Sequence, residues 1–341
     1  MGFKINNRRY TGSKSKIVAW IRNLVLEHCK EAMSFCDIFA GTGIVASAVY
    51  DDFNEIILND FLFSNEVIYN AFFGQEPYDE DKVYEYFKRY KRLTVEDLED
   101  NYISKNYGNK FFSYGDAKKI GYIREDLELN KHILTKREFD ILLTSLIYSF
   151  DKCANTVGHY EAYIKNGKIA DSFKFDLIEP ILNEKKKGIK IFREDANLLA
   201  KKIAVDIVYI DPPYSSRQYS RFYHVIETIV KWNKPKLFGV ALKPEPENMS
   251  EYCTSAATDA FKELISDLNC KYIAVSYNNT YSSKSKSSEN KMTLDDIKRI
   301  LDKKGFTQQF AIKHQAFNAG KTDFNNHQEI LFITKVGVQN D

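Results

Sequence analysis

Residues 207–214 read IVYIDPPY, and this stretch decides the fold class. Its apolar, largely β-branched start predicts a buried strand over 206–210, which Asp211 and the two prolines after it end abruptly. A buried strand without polar alternation is typical of a parallel sheet covered by helices. Ligands of such sheets bind at the carboxyl ends of the strands, so residues 211–214 are predicted to line a pocket.

A second strand end lies near the start of the chain, where residues 37–43 read DIFAGTG. A strand over 34–39 is predicted to turn at Gly41 and Gly43, and a strand over 55–59 to end at Asp60. Such a turn lets the backbone approach a ligand closely, and an acidic residue after the next strand suits ribose hydroxyls. The third glycine of the dinucleotide fingerprint is absent, which favours a nucleoside ligand over NAD.

The residues between these motifs differ in character from both ends of the chain. Charged and aromatic residues dominate 62–187, and their periodicity predicts helices over 83–90, 95–102 and 136–149. Strands and helices then alternate again, with a helix predicted over 221–231 and a closing pair of strands at 306–313 and 329–334. We therefore predict an α/β fold: a mostly parallel sheet with an antiparallel closing strand, formed by 1–61 and 188–341, and a mainly helical insertion over 62–187. A charged linker at 184–187 and a Ser/Lys-rich loop at 282–288 are also predicted.

The composition of the whole chain excludes several classes of protein. The 341 residues are 44% apolar with a net charge of +2, which suits a large globular protein. Five widely spaced cysteines without a C-x-x-C pair disfavour a disulfide framework and a cysteine zinc site, and no metal is expected. We see neither a signal sequence nor an apolar run of membrane-spanning length, so a cytoplasmic protein without membrane contact is expected.

The chemistry of residues 211–214 points to a planar ligand that carries an amino group. Pro212 and Pro213 have no N–H to donate, so the carbonyls around them are available as acceptors, and Asp211 adds a carboxylate. Tyr214 offers a flat face for stacking. The alternative is a proline-rich turn with a capping aspartate, which explains the prolines but not the tetrapeptide at a strand end.

With these motifs in this order, the sequence resembles the D12 class of N6-adenine DNA methyltransferases, which includes the bacterial Dam enzymes. Residues 211–214 resemble their motif IV, and 37–43 resemble their motif I. Residues 10–14, YTGSK, resemble the opening motif with Ser13 in place of a glycine, and 58–60, LND, match the ribose-binding motif. Residues 193–196, REDA, resemble the adenine-contacting motif, with Ala196 in place of its aromatic residue. The resemblance covers residues 8–60 and 190–340 and implies a Rossmann-like methyltransferase fold with an inserted target-recognition domain.

The resemblance also implies a cofactor and a catalytic set. The cofactor is S-adenosylmethionine, and Asp211, Pro212, Pro213 and Tyr214 are the expected catalytic residues. The expected cofactor contacts are Tyr10, Lys14, Asp37, Phe39, Ala40, Gly41, Gly43, Asp60, Asp195 and Ala196.

Two segments are candidates for contact with double-stranded DNA. Residues 215–224 mix amides, hydroxyls, arginines and aromatics, and Arg217, Gln218, Tyr219 and Arg221 are expected to hold the flipped nucleotide and its phosphates. A solvated start of a helix is the alternative. Asn155, Thr156 and His159 lie in a loop of the insertion, and their polar groups suit base edges. His314 and His327 are not expected to be catalytic.

The leading hypothesis is a site-specific DNA adenine methyltransferase that modifies DNA alongside a separate restriction endonuclease. The same chemistry on RNA or protein is an alternative, and so is an inactive methyltransferase fold that binds nucleic acid. The intact motifs at 211–214 and 41–43 disfavour inactivity, and the long insertion disfavours a protein substrate.

Overall fold

The computed structural model describes residues 2–165, 168–182, 187–279, 289–313 and 327–338. The chain folds into two compact units. We call them the helical unit (1–11, 62–185 and 220–247) and the sheet unit (12–61, 186–219 and 248–341). The predicted loop at 282–288, most of the predicted linker at 184–187 and His314 lie outside the described residues.

The sheet unit contains seven described strands in the order β3-β2-β1-β4-β5-β7-β6. The first five of that order run parallel, while β7 pairs antiparallel with both β5 and β6. The sheet is thus mostly parallel with an antiparallel closing strand, as the sequence predicts. The strands are β1 (Ser34–Asp37), β2 (Glu55–Asn59), β3 (Gly188–Phe192), β4 (Ala204–Ile210), β5 (Asn269–Asn278), β6 (Gly305–Lys313) and β7 (Gln328–Val336).

Helices cover this sheet. Alternate apolar residues of β4, such as Val208 and Ile210, are fully buried in one core with residues of α8, α11 and α12. The interiors of the central strands are therefore apolar, and their ends are available for polar chemistry. The helices of the unit are α1 (Val18–His28), α2 (Ile44–Ala48), α8 (Ala196–Ala200), α11 (Ala257–Asp267) and α12 (Leu294–Leu301).

The helical unit holds most of the insertion together with residues 1–11 and 220–247. Its helices are α3 (Phe63–Phe73), α4 (Glu80–Lys91), α5 (Tyr102–Tyr107), α6 (Tyr114–Leu129), α7 (Lys136–Cys153) and α10 (His224–Lys231). The chain passes from the sheet unit to the helical unit within the short α9 (Tyr219–Phe222). The segment 220–247 packs here because buried polar groups fix it: Glu227 accepts hydrogen bonds from the Phe63 and Ser64 amides, and Arg124 donates to the Ile229 carbonyl.

Two helix predictions in these regions are wrong in position. The helix expected over 95–102 is absent, and α5 begins only at Tyr102 because the Asn101 side chain accepts hydrogen bonds from the Ile103 and Ser104 amides. This side chain caps a new helix, so it cannot lie in the middle of an older one. The helix expected over 221–231 is broken at Tyr223 into α9 and α10.

Candidate active site

Residues 211–214 follow β4 at the carboxyl edge of the parallel strands, where the sequence predicts a pocket. The Tyr214 carbonyl accepts a hydrogen bond of 2.8 Å from the Lys291 amide. The Tyr214 ring packs edge-on against Tyr277 from the end of β5, with ring centroids 4.6 Å apart. Position and orientation of the tyrosine are therefore fixed by its neighbours in the sheet unit.

A charged cluster surrounds the Asp211 carboxylate. The Lys14 ammonium lies 3.0 Å from Asp211 Oδ1 and donates a 2.5 Å hydrogen bond to the Tyr214 hydroxyl, which in turn donates to Asp211. Glu329 of β7 places Oε2 3.7 Å from the same ammonium. We call Lys14, Asp211, Tyr214 and Glu329 the Asp211 cluster. It joins a predicted cofactor contact, two predicted catalytic residues and a glutamate that the sequence did not single out.

The charges in this cluster are strongly coupled because little water reaches them. Burial lowers the pKa of Lys14, but the carboxylates of Asp211 and Glu329 outweigh this, and the net pKa is raised, so the lysine is a cation. Burial raises the pKa of the Asp211 carboxyl, and the Lys14 ammonium and the Tyr214 hydroxyl oppose that rise. Burial and the neighbouring carboxylates of Asp211 and Glu329 raise the pKa of Tyr214 well above its ordinary value, so its hydroxyl remains protonated.

The glycine turn after β1 forms a second group at the same edge. Gly41 and Gly43 have φ angles of 53° and 73°, a left-handed conformation that favours glycine. The Gly41 amide donates to Asp60 Oδ2 at 3.0 Å, and the Ala40 amide donates to the Asn59 carbonyl at 2.8 Å. These bonds hold the turn against the end of β2, so the predicted motif residues of both strands come together.

Asp37 at the end of β1 is the most deeply buried carboxylate of this group. Burial, with the nearby carboxylates of Asp211 and Asp60, raises its pKa well above its ordinary value. Its Oδ1 atom is buried and has no hydrogen-bond partner among the described residues. Such an atom is costly unless a bound group satisfies it, so Asp37 fits a ligand that supplies a donor or a positive charge.

The other predicted cofactor contacts have structural partners. Phe39 packs edge-on against Tyr252 at 5.0 Å. The Asp195 carboxylate caps α8 by accepting from the Asn197 and Leu198 amides, and Ala196 is the buried first residue of that helix. Tyr10 lies in the helical unit, where its ring stacks on Tyr223 at 4.7 Å.

Comparisons with known proteins agree with this architecture. Residues 10–280 match the model of a family described as D12 class N6 adenine-specific DNA methyltransferase. The chain belongs to this family. It is therefore a DNA adenine methyltransferase with a Rossmann-like fold, as the resemblance implies.

Several type II methyltransferases are similar to this methyltransferase. It is 30% identical to M.NlaIII of Neisseria lactamica, over 94% of this chain and 95% of that enzyme. It is 28% identical to M.CviAII of Paramecium bursaria Chlorella virus 1, over 97% of this chain and 99% of the relative. It is also 29% identical to M.FokI of Planomicrobium okeanokoites over 96% of this chain. This match covers 52% of M.FokI, so the chain spans about half the length of that enzyme.

The candidate DNA contacts of the methyltransferase at 217–221 also make contacts within their own units, and their contact with DNA stays a prediction. In the sheet unit, the Gln218 amide exchanges two hydrogen bonds with the backbone of Ser250, and the Arg217 carbonyl accepts from the Cys253 thiol. The Tyr219 hydroxyl packs close over Gly12. In the helical unit, the Arg221 guanidinium donates to the Pro244 carbonyl at 2.6 Å.

The predicted recognition loop lies wholly in the helical unit and is tied down by an arginine. Arg9 donates to the Ala154 carbonyl at 3.3 Å and to the Thr156 carbonyl at 3.4 Å. Asn155 uses its amide on the Lys110 and Ile164 carbonyls, and His159 stacks on Phe222 at 4.7 Å. Asn155 and His159 thus have structural partners, and their contact with DNA stays a prediction.

Glu329 and Arg9 were missed by the sequence reasoning. Glu329 is the one acidic residue in the otherwise apolar run 329–333, and a charge in such a run is a signal for a buried pair. Arg9 directly precedes the opening motif, but nothing in the sequence indicated which loop it would bind. Among the described residues, no cluster of His, Cys, Asp and Glu could hold a metal ion, and no helix is long and apolar enough to cross a membrane.

Proposed function

We propose that this methyltransferase transfers a methyl group from S-adenosylmethionine to N6 of an adenine flipped out of double-stranded DNA. The observation that carries the proposal is the Asp211 carboxylate at the end of β4, held by Lys14 and followed by two prolines and a fixed aromatic ring. We further propose that it protects specific sites from a separate restriction endonuclease, since its relatives are named type II methyltransferases.

The residues around Asp37 fit S-adenosylmethionine. Asp37 offers a buried carboxylate oxygen without a partner, which suits a positively charged ligand. Asp60 and the turn at Gly41 and Gly43 suit a ribose brought close to the backbone. The cofactor, when bound, supplies an electrophilic methyl group on a sulfonium centre.

The Asp211 cluster has the chemistry to activate an aromatic amine. The lone pair of adenine N6 is delocalised into the ring, and hydrogen bonds from both N6 hydrogens to acceptors would localise it on nitrogen. Asp211 offers a carboxylate for one of them, and the prolyl segment offers a carbonyl for the other. Catalysis then rests on positioning and electrostatics, without a covalent enzyme intermediate.

The other members of the cluster support this role. Burial raises the pKa of Asp211, and the Lys14 cation opposes this rise and so favours the ionised form. The Tyr214 ring, held by Tyr277, offers a face on which a flipped base could stack. After transfer, the methylated amine loses a proton, for which the Asp211 carboxylate offers an acceptor.

One experiment tests the proposal directly. The gene is expressed in a host that lacks adenine methylation, and N6-methyladenine is mapped in its DNA at single-base resolution, with Asp211→Ala as the control. We expect one recognition sequence to be methylated by the wild type and unmethylated with the variant. An unmodified genome with folded, cofactor-supplied wild-type protein would contradict the proposal, and methylation of RNA or protein instead would favour the alternatives.

A further inference from the structure

A short hairpin in the helical unit ends in exposed apolar side chains. Phe238 and Lys243 exchange backbone hydrogen bonds of 2.8 and 3.0 Å, and the Leu242 amide closes the turn on the Gly239 carbonyl at 3.2 Å. Gly239 and Leu242 have positive φ angles of 68° and 53°. Leucine rarely adopts this conformation, so the surrounding contacts must hold the turn in this shape. We call residues 238–243 the apolar hairpin.

Contacts from α9 and α10 hold the apolar hairpin at its turn and directly after its last residue. His224 Nε2 lies 2.8 Å from the Ala241 carbonyl oxygen, and Arg221 donates to the Pro244 carbonyl at 2.6 Å. Lys243 pairs with Glu161 at 3.1 Å. The hairpin is therefore a fixed projection of the unit, and little conformational entropy would be lost when it binds a partner.

The tip of the apolar hairpin has an unusual composition for a surface turn. Turns favour Gly, Pro, Asn, Asp and Ser, but here Val240 is 68% exposed and Phe238 is 43% exposed. The space around Gly239 is open, since no atom of the described residues beyond its chain neighbours lies within 4 Å of the point where a Cβ atom would stand. Two large apolar side chains on a fixed projection indicate a contact surface.

The charges beside the tip indicate what kind of surface it meets. Lys236 is exposed, and its ammonium lies 5.5 Å from the centroid of the Phe238 ring, so a cation and an apolar face are presented together. Lys234 lies two residues earlier and pairs with Glu125. Duplex DNA offers the matching pattern, with phosphates along a groove and the apolar edges and methyl groups of bases within it.

We propose that the apolar hairpin contacts the DNA substrate, with Val240 and Phe238 packed on bases in a groove and Lys236 on a phosphate. This inference rests on the proposed function, because it requires double-stranded DNA as the substrate. It assigns to residues 238–243 a part in binding that neither the motif resemblance nor the residues predicted at 155–159 include.

The test compares two exposed apolar residues of the same unit. Val240→Ser replaces the apolar side chain at the tip of the hairpin with a polar one. Leu129→Ser makes the same kind of change in α6, at a residue that is equally exposed, at 69%. The dissociation constant of each full-length variant is measured by fluorescence anisotropy with a duplex that carries the methylation site found by mapping. We expect Val240→Ser to weaken binding roughly tenfold and Leu129→Ser to leave it unchanged, because only the former loses buried apolar contact with bases.

The salt dependence separates base contact from phosphate contact. Val240→Ser should leave the slope of log Kd against log salt unchanged, whereas Lys236→Ala should reduce its magnitude by about 1. Val240→Thr, which preserves the side-chain volume, should weaken binding less than Val240→Ser. If the serine variant is less stable than the wild type, the threonine variant is compared with Leu129→Ser in its place.

Clear outcomes would overturn the inference. If both valine variants bind DNA within twofold of the wild type, the hairpin does not contact DNA. Wild-type methylation of the mapped site, measured in parallel, shows whether the proposed function still stands in that case.

Discussion

The Asp211 cluster and the loop at 155–159 contain similar polar groups but use them in opposite ways. In the cluster, Lys14 pairs with both Asp211 and Glu329 at a strand end, yet the Asp211 side chain remains 18% exposed. In the loop, the Asn155 amide is bonded to two backbone carbonyls of its own unit. At a strand end, the sheet itself positions the side chains. In a loop, some of the polar side chains are instead needed for hydrogen bonds that hold the loop's own backbone.

The largest expected effect comes from Asp211→Ala. Without the carboxylate, the target amine loses an acceptor, and we expect the single-turnover rate to fall about 100- to 1000-fold, as when one preorganised hydrogen bond of an active site is lost. The matched control is Asp206→Asn in β4, the strand that Asp211 follows. The Asp206 carboxylate pairs with Lys271 and accepts from the Met33 amide. If both variants lose activity equally, β4 matters for stability rather than chemistry.

Substitution of the two charged neighbours of Asp211 should shift the pH dependence of the methylation rate in opposite directions on its acidic side. In the proposed mechanism the active form of Asp211 is the carboxylate, so the rate should fall as the pH falls through the pKa of this group. Lys14→Gln removes a cation that lowers this pKa, so the midpoint should move to higher pH. Glu329→Gln removes an anion that raises it, so the midpoint should move to lower pH. Single-turnover rates across the pH range measure both, and shifts in the same direction would contradict the coupling.

Asn155→Ala distinguishes a structural loop residue from one that contacts DNA. Loss of two hydrogen bonds to backbone carbonyls should lower the free energy of unfolding by about 2 kcal/mol, as measured by urea denaturation. Discrimination between cognate and altered sites should persist. Unchanged stability with relaxed discrimination would instead make Asn155 a base contact.

Gly43→Ala is expected to have the smallest effect. Alanine at a φ of 73° costs about 1 kcal/mol, so we expect a slightly lower Tm and weaker binding of S-adenosylmethionine by calorimetry. The neighbouring Ala46→Gly in α2 serves as a control for general loss of stability. A cofactor affinity equal to that of the wild type would remove the turn from the binding site.

The sheet was predictable because its strand ends carry their own signals. Glycines after β1 and prolines after β4 stop each strand within a residue or two of where the sequence indicates, and this brings Asp37 and Asp211 to one edge. The same signals placed Gly41 next to Asp60. The functional assignment then followed from the resemblance, which the family match confirms.

The composition of the helical unit was less predictable, because contacts between residues far apart in the sequence decide which segments pack in it. Residues 220–247 read as a continuation of the sheet domain, but Glu227 binds the start of α3, and they pack in the helical unit. The division of labour between a catalytic and a target-recognition domain stays a prediction. Glu329 was missed because periodicity predicts a strand at 329–334 but does not indicate which charged residue it will meet.

The reversed direction of β7 also brings a residue from late in the chain into the Asp211 cluster. An antiparallel strand brings its first residues, not its last, to the edge where the parallel strands end, so Glu329 meets Lys14 across almost the whole length of the chain. During synthesis the motifs at 37–43 and 211–214 leave the ribosome well before Glu329 does. The nascent chain therefore contains Lys14 and Asp211 before it contains Glu329, the second acid beside that lysine.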